Sequence, residues 1–278
     1  MTTRVQRQSA QQAPRQAVNQ KTSKPQVWLR TGLVVIYGAS IDADPHRHHA
    51  IQLAWPQVDT ACQLNHTPIA SPVIIAADVE HQLSLEAGWL LLVEPTSRLG
   101  QALAAQLAER ETIALALPAL DILPTNDDLL SVLTPMFERL GLAEHLSGLL
   151  GLSTLQQDNH SDRQIADSRI HALVAELDRC LQGQCLKPTH WRAEEVAAKL
   201  ALSESRFLHL FRQEMGIAWR PYLLWRRMIC AVNAILSGAN ATEAAHMAGF
   251  SDSAHLSRTF RATFGITFRQ AKAIFQLG

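Results

Sequence analysis

The stretch Ala244-Ala-His-Met-Ala-Gly-Phe-Ser-Asp-Ser-Ala-His-Leu-Ser-Arg-Thr-Phe-Arg261, with Gly265 after it, decides the fold of the C-terminal third. Its pattern occurs once before, as Ala197-Ala-Lys-Leu-Ala-Leu-Ser-Glu-Ser-Arg-Phe-Leu-His-Leu-Phe-Arg212, followed by Gly216. A shift of 49 residues lays Ser203 on Asp252, Phe207 on Leu256, Phe211 on Phe260, Arg212 on Arg261 and Gly216 on Gly265. The Ala pairs are offset by only 47 and 48, so the second copy has the longer turn. Each copy reads as short helix, tight turn, N-cap, second helix and Gly stop, which is the pattern of a helix-turn-helix.

Ser203 and Asp252 are good N-caps, since their oxygens accept from first-turn N–H groups that have no helical partner. In the first copy Phe207, Leu210, Phe211 and Met215 fall on one helix face and are expected to pack inward. In the second, Leu256, Phe260 and Phe264 do the same. Between the copies, Pro221–Leu236 reads as one longer helix, started by Pro and stopped by Gly238. A spacer of that length, about 24 Å, is suited to holding two recognition helices one turn of duplex DNA apart.

Charge supports a nucleic-acid contact confined to one end. The chain of 278 residues is formally neutral, with 25 basic and 25 acidic residues. Residues 189–278 nevertheless hold eleven basic against six acidic side chains, while residues 27–188 hold nine against nineteen. Double-stranded DNA is the expected partner of the basic end, and the acidic middle is not expected to touch phosphate.

The rest of the chain divides by composition. Residues 1–26 carry five basic and no acidic side chains and few large apolar ones, the composition of a disordered basic tail. From 27 to 95, short β-branched and aromatic runs ended by turn-formers predict a small β-barrel. After Pro95 the period becomes helical at Leu99–Leu107, Leu129–Leu140, Leu142–Leu150 and Ile165–Leu181, so 96–184 reads as a helical extension and a candidate dimer face. Lys187-Pro188 is the expected hinge into the reader, residues 185–278. The fold class is therefore α+β multidomain, an N-terminal barrel with a helical extension and a C-terminal all-α tandem helix-turn-helix unit. Cys62, Cys180, Cys185 and Cys230 show no paired ligand spacing. With no apolar run long enough to cross a bilayer, a reduced, cytoplasmic chain without a membrane partner is expected.

The C-terminal residues resemble the DNA-binding domain of the AraC/XylS family of transcription regulators. Ala197, Leu202-Ser203, Phe211-Arg212, Gly216, Tyr222-Leu223, Arg227-Met228, Ala231, the run Ala245–Arg261 and Phe264-Gly-Ile-Thr carry the resemblance, over about 185–275. Phe268 departs from the Pro usual there. Position by position, the resemblance places base reading on Ser205, Leu208 and His209 and on Ser253, Ala254, Ser257 and Arg258. Arg258 is the strongest candidate, because its fork can bind guanine O6 and N7 together. Arg206, Arg212, Arg226 and Arg261 are expected at phosphates. The resemblance also implies a contact with RNA polymerase and a homodimer; it leaves activator and repressor open.

Pro45-His-Arg-His-His-Ala-Ile-Gln-Leu and Val73-Ile-Ile-Ala-Ala-Asp-Val-Glu-His-Gln-Leu resemble the two motif strands of cupins, more weakly. Strand alternation puts His46 and His48 on one side, with His49 beside them and His81 able to face them. His46, His48 and His81 are the expected lining of a small-molecule effector pocket. A metal is the less favoured occupant, because Ala50-Ile-Gln-Leu-Ala stands where enzymatic cupins place an acidic ligand, and no cofactor is expected. There is no GxSxG, Walker-type loop or HExxH, so an effector-responsive, non-enzymatic regulator is the main reading. A constitutive regulator whose barrel only dimerises, and a metal-dependent cupin enzyme, are the alternatives.

Overall fold

A computed structural model describes residues 25–120, 129–146, 165–182 and 191–276. The tail at 1–24, part of Leu142–Leu150 and the hinge at Lys187-Pro188 lie outside those residues. Among the described residues, the N-terminal unit has ten strands, β1 (Gln26–Arg30), β2 (Leu33–Tyr37), β3 (Ile41–Asp42), β4 (Ile51–Pro56), β5 (Cys62–Leu64), β6 (Thr67–Pro68), β7 (Val73–Ile75), β8 (Leu83–Leu85), β9 (Gly88–Val93) and β10 (Thr112–Ala114). They form an antiparallel six-stranded sheet, β1-β2-β9-β4-β7-β10, and a four-stranded sheet, β3-β8-β5-β6.

Burial of both faces explains why the central strands are continuous apolar runs instead of alternating ones. Every residue of β2, β4 and β9 is buried. One face, with Val35, Tyr37, Leu53, Trp55, Trp89 and Leu91, packs under helices α1 (Arg98–Leu107) and α2 (Leu129–Leu140). The other, with Val34, Ile36, Ala54, Val73, Ile75, Leu90 and Leu92, meets Ile41, Cys62, Leu83 and Leu85 of the small sheet. The extension is not purely helical as expected: β10 lies within it and pairs with β7, Thr112 opposite Ile75. Three residues are too few for periodicity to reveal a strand, and the partner is far off in sequence.

The remaining helices are α3 (Ser168–Gln182), α4 (Ala193–Lys199), α5 (Glu204–Met215), α6 (Trp219–Leu236), α7 (Ala241–Met247), α8 (Ser253–Phe264) and α9 (Phe268–Gln276). The apolar face of α3, with Ile170, Leu173, Val174 and Leu177, is buried against Val196, Phe207, Phe211 and Trp219 of the first helix-turn-helix. Together with α1 and α2, it is covered within the same chain. The spacer α6 has 18 residues, starting two residues before Pro221, and spans about 27 Å by helical rise. It serves two cores: Trp225 and Ile229 join the apolar layer between the sheets, while Met228, Val232 and Ile235 pack with Leu256 and Phe260. Cys230 is disulfide-bonded, which corrects the expectation of an entirely reduced chain.

Candidate nucleic-acid interface and histidine cavity

The two helix-turn-helix copies are built alike. Ser203 Oγ accepts from Arg206 N–H at 3.3 Å and Asp252 Oδ1 from His255 N–H at 2.7 Å, each capping its recognition helix. That bond from His255 also holds the Asp252 carboxyl below its usual range. Gly216 and Gly265 close the helices in the left-handed region, at φ 68° and 69°. Each turn is fixed by an identical backbone bond, Leu202 N–H to Ala197 O and Phe250 N–H to Ala245 O. These bonds are related by 48 residues and the caps by 49, so Ser251 is the extra residue of the longer second turn. Arg227 pins that turn to α6 by donating to Ala248 O at 2.9 Å and Gly249 O at 2.7 Å, while its guanidinium lies 3.9 Å from the Phe250 ring centre.

The residues expected to read bases lie on the outward faces, most of them exposed. On α5, Phe207, Leu210, Phe211 and Met215 are buried, and Ser205, Arg206, Leu208, His209 and Arg212 are exposed. On α8, Leu256 and Phe260 are buried and Phe264 half-buried; Ala254, Arg258 and Arg261 are exposed, and Ser253 and Ser257 are half-buried. Phe268 starts α9 and is buried, its ring edge-on to Phe260 at 5.7 Å, so it enters the core away from this face.

Two expected phosphate contacts need correction. Arg226 is 5% exposed and cannot reach a phosphate. Its guanidinium lies 2.8 Å from Asp178 and 4.0 Å from Glu94, which stitches α6 to α3 and to the end of β9. The reason is helical phase: with Tyr222, Trp225 and Ile229, Arg226 falls on the face of α6 that packs inward. Arg261 is exposed as expected but already paired, at 2.6 Å to Asp44 in the loop after β3. Sequence reasoning missed Asp44, which has no local signal of its role.

That loop leads to the histidines. An isolated bridge joins His46 and His81, whose rings lie 4.3 Å apart, and His48 is 5.5 Å from His46 and 5.3 Å from His81. The expected convergence is present, and all three are buried. His49 points elsewhere, its Nδ1 3.4 Å from Asp78. A backbone carbonyl accepts from each clustered Nδ1: Asp44 O at 2.8 Å for His46, Ala50 O at 3.1 Å for His48 and Val79 O at 3.0 Å for His81. The rings therefore share the Nδ1–H tautomer and keep their lone pairs on Nε2. Burial, and then the neighbouring His81, push His46 down to about 4 and His48 to about 3; burial also lowers His81, so all three are neutral at pH 7.

Gln52 was missed by the sequence reading, although alternation along 48, 50 and 52 places it on the same side. Its Oε1 is 3.1 Å from His48 Nε2, while its own Nε2 has no partner among the described residues. Since His48 Nε2 bears a lone pair, the amide is better turned to donate to it. The cavity beside this group is about 50 Å³ and mostly apolar. Its wall is shared: Val34, Ile36 and Leu92 come from the N-terminal unit, and Ile229, Phe260 and Phe264 from the reader.

Residues 196–273 match the family model of a helix-turn-helix domain. No curated protein matches the chain in sequence. Among solved structures, the C-terminal domain of AraT, a response regulator from Geobacillus stearothermophilus, is 20% identical, with a TM-score of 0.34 over 40% of this chain and 87% of that one. A transcriptional regulator from Chromobacterium violaceum, of the AraC-type DNA-binding-domain proteins, is 22% identical, with a TM-score of 0.33 over 38% and 95%. ToxT from Vibrio cholerae O395 is 10% identical, with a TM-score of 0.46 over 88% and 99%. Among the described residues, no helix is long and apolar enough to cross a membrane.

Proposed function

We propose that this chain, whose residues 196–273 match a helix-turn-helix domain, is a sequence-specific transcription regulator of the AraC type whose DNA binding answers to an effector. The observation that carries the first part is the pair of capped recognition helices, each presenting an outward polar face on a basic unit. Ser205, Leu208, His209, Ser253, Ala254, Ser257 and Arg258 read base edges in successive major grooves, and Arg206 and Arg212 hold phosphates, with Arg261 joining them when it leaves Asp44. The duplex is the substrate, and no bond is made or broken.

The effector part is supported by the wall shared between the N-terminal unit and the reader at the cavity beside His46, His48 and His81. A ligand there touches Phe260 and Phe264 from the inner side of the second recognition helix, so binding and DNA affinity share residues. Selection of bound sequences from a random duplex pool by the full chain tests the first part. A recovered motif with half-sites about one helical turn apart is expected; recovery of unrelated sequences would overturn it. A regulator whose N-terminal unit only scaffolds would bind the same motif with an affinity that no ligand moves.

A further inference from the structure

We infer that His46, His48 and His81 form a site for one divalent late transition-metal ion of the zinc type, and that this ion is the effector of the DNA-binding unit. The inference rests on the regulator reading above and gives its signal a chemistry.

Four observations carry it. One ring nitrogen from each histidine lies within 4.8 Å of the other two, and all three side chains are buried. Around a tetrahedral zinc, with Zn–N near 2.0–2.1 Å, ligand nitrogens are about 3.4 Å apart, so closing the group needs side-chain shifts of about 1 Å. Each ring is also held as second-shell partners hold metal-bound imidazoles, with Nδ1–H on a carbonyl and the lone pair on Nε2, which at His48 coordinates once the Gln52 amide turns away. His81 Nε2 is buried with no hydrogen-bond partner among the described residues, a cost that coordination removes.

The third observation is size. A cavity of about 50 Å³ is far below the roughly 300–1,000 Å³ of a pocket for an organic ligand. It suits an ion with a water in the open position. The fourth is donor chemistry. Three neutral imidazoles select zinc, copper, nickel or iron over magnesium and calcium, which require oxygen donors. The Gln52 amide, 3.1 Å from His48 Nε2, would have to turn its oxygen to the ion to serve as fourth ligand in place of that water.

Coupling to DNA follows from the same residues. His46 donates to Asp44 O, Asp44 N–H donates to Gly265 O at 2.8 Å, and the Asp44 carboxylate holds Arg261. An ion that draws His46 inward acts directly on the loop gripping the C-terminal end of α8.

The test uses tag-free full chain, stripped with a chelator and then loaded with Zn²⁺ or Co²⁺. One equivalent should survive desalting, and Co²⁺ should give the visible bands of a tetrahedral nitrogen-rich site. His46→Asn and His81→Asn should lower metal affinity at least tenfold with unchanged circular dichroism. His49→Asn, whose ring faces Asp78, should leave it unchanged. A wild-type chain that retains no metal would overturn the site without recourse to any variant, as would equal retention by His46→Asn. The same samples are then titrated with the selected duplex. Metal bound at one equivalent with no change in duplex affinity would remove its role as effector. Loss of metal binding with intact duplex binding leaves the regulator reading standing, whereas no specific duplex binding in either state rejects that reading itself.

Discussion

Asp44 and Arg261, 217 residues apart, meet through a bidentate pair in which the guanidinium Nε and Nη2 reach one carboxylate oxygen at 2.7 and 2.6 Å. A residue of the acidic N-terminal unit thereby occupies a cation on the second recognition helix. Both side chains are more than half exposed, so the pair contributes roughly 0.2–1 kcal/mol. That is too little to hold the two units together. It is enough to set how readily Arg261 reaches a phosphate.

Asp44→Asn is accordingly expected to raise duplex affinity by up to about fivefold, the equivalent of about 1 kcal/mol. The slope of log affinity against log salt should steepen by about 0.9 as one more phosphate is neutralised. Mobility shifts over a range of salt concentrations measure both quantities. An unchanged slope would show that Arg261 makes no phosphate contact.

Arg226→Ala tests the correction made to that residue. It removes the cation from beside the buried carboxylates of Asp178 and Glu94, and breaking such a buried pair costs roughly 3–5 kcal/mol. Urea unfolding followed by tryptophan fluorescence should show the loss as a fall in midpoint. The salt slope of duplex binding by the protein that stays folded should not change. A stable variant with a shallower slope would restore Arg226 to the phosphate surface.

The two halves of the chain were not equally legible. The tandem unit was readable because each determinant is local: Ser203 and Asp252 cap their own helices, and Phe207, Phe211, Leu256 and Phe260 keep one phase. The inward phase of Arg226 was equally available, at helical spacing from Tyr222, and was outweighed by its charge. Alternation placed His46 and His48 correctly, but His49 could not be separated from them until the strand path was known. The contact of Asp44 with α8 had no signal at all, since pairing across 217 residues leaves no period in either segment. Nor does composition show that Phe260 and Phe264 line a cavity shared with the histidines; an apolar helix face looks the same whichever core receives it.

Gly216 and Gly265 occupy equivalent stops and provide a comparison within one chain. Both are left-handed, so Ala at either position costs roughly 1–2 kcal/mol from backbone strain. A methyl at Gly216 meets nothing within 4 Å, whereas at Gly265 it would lie 2.4 Å from Asp44 O and 2.6 Å from His46 Nδ1. Gly216→Ala should therefore lose only the strain term. Gly265→Ala should lose more, and the variant should be more expanded by small-angle scattering as the two units part. Equal losses by denaturant unfolding would mean that the Asp44 loop yields at no cost.

Arg258 carries the sharpest prediction about sequence reading. It is exposed on α8, among Ser253, Ala254 and Ser257, whose small side chains leave room for the guanidinium to reach a base edge. The equivalent face of α5 offers Leu208 and His209, suited to a thymine methyl and a single hydrogen bond. The second copy should therefore make the stronger guanine contact. Arg258→Ala should weaken binding to the selected duplex by about 1–3 kcal/mol, roughly 5- to 150-fold, and relax the sequence preference at one position. Arg258→Lys should restore little, because an ammonium cannot bind O6 and N7 as a planar fork. Arg212→Ala, at an expected phosphate contact, should instead weaken all sequences alike and reduce the salt slope by about one. Circular dichroism controls for folding, and competition against nonspecific duplex separates the two behaviours. If Arg258→Ala kept the full preference for the selected motif, base recognition by the second helix would rest on Ser253, Ala254 and Ser257 instead.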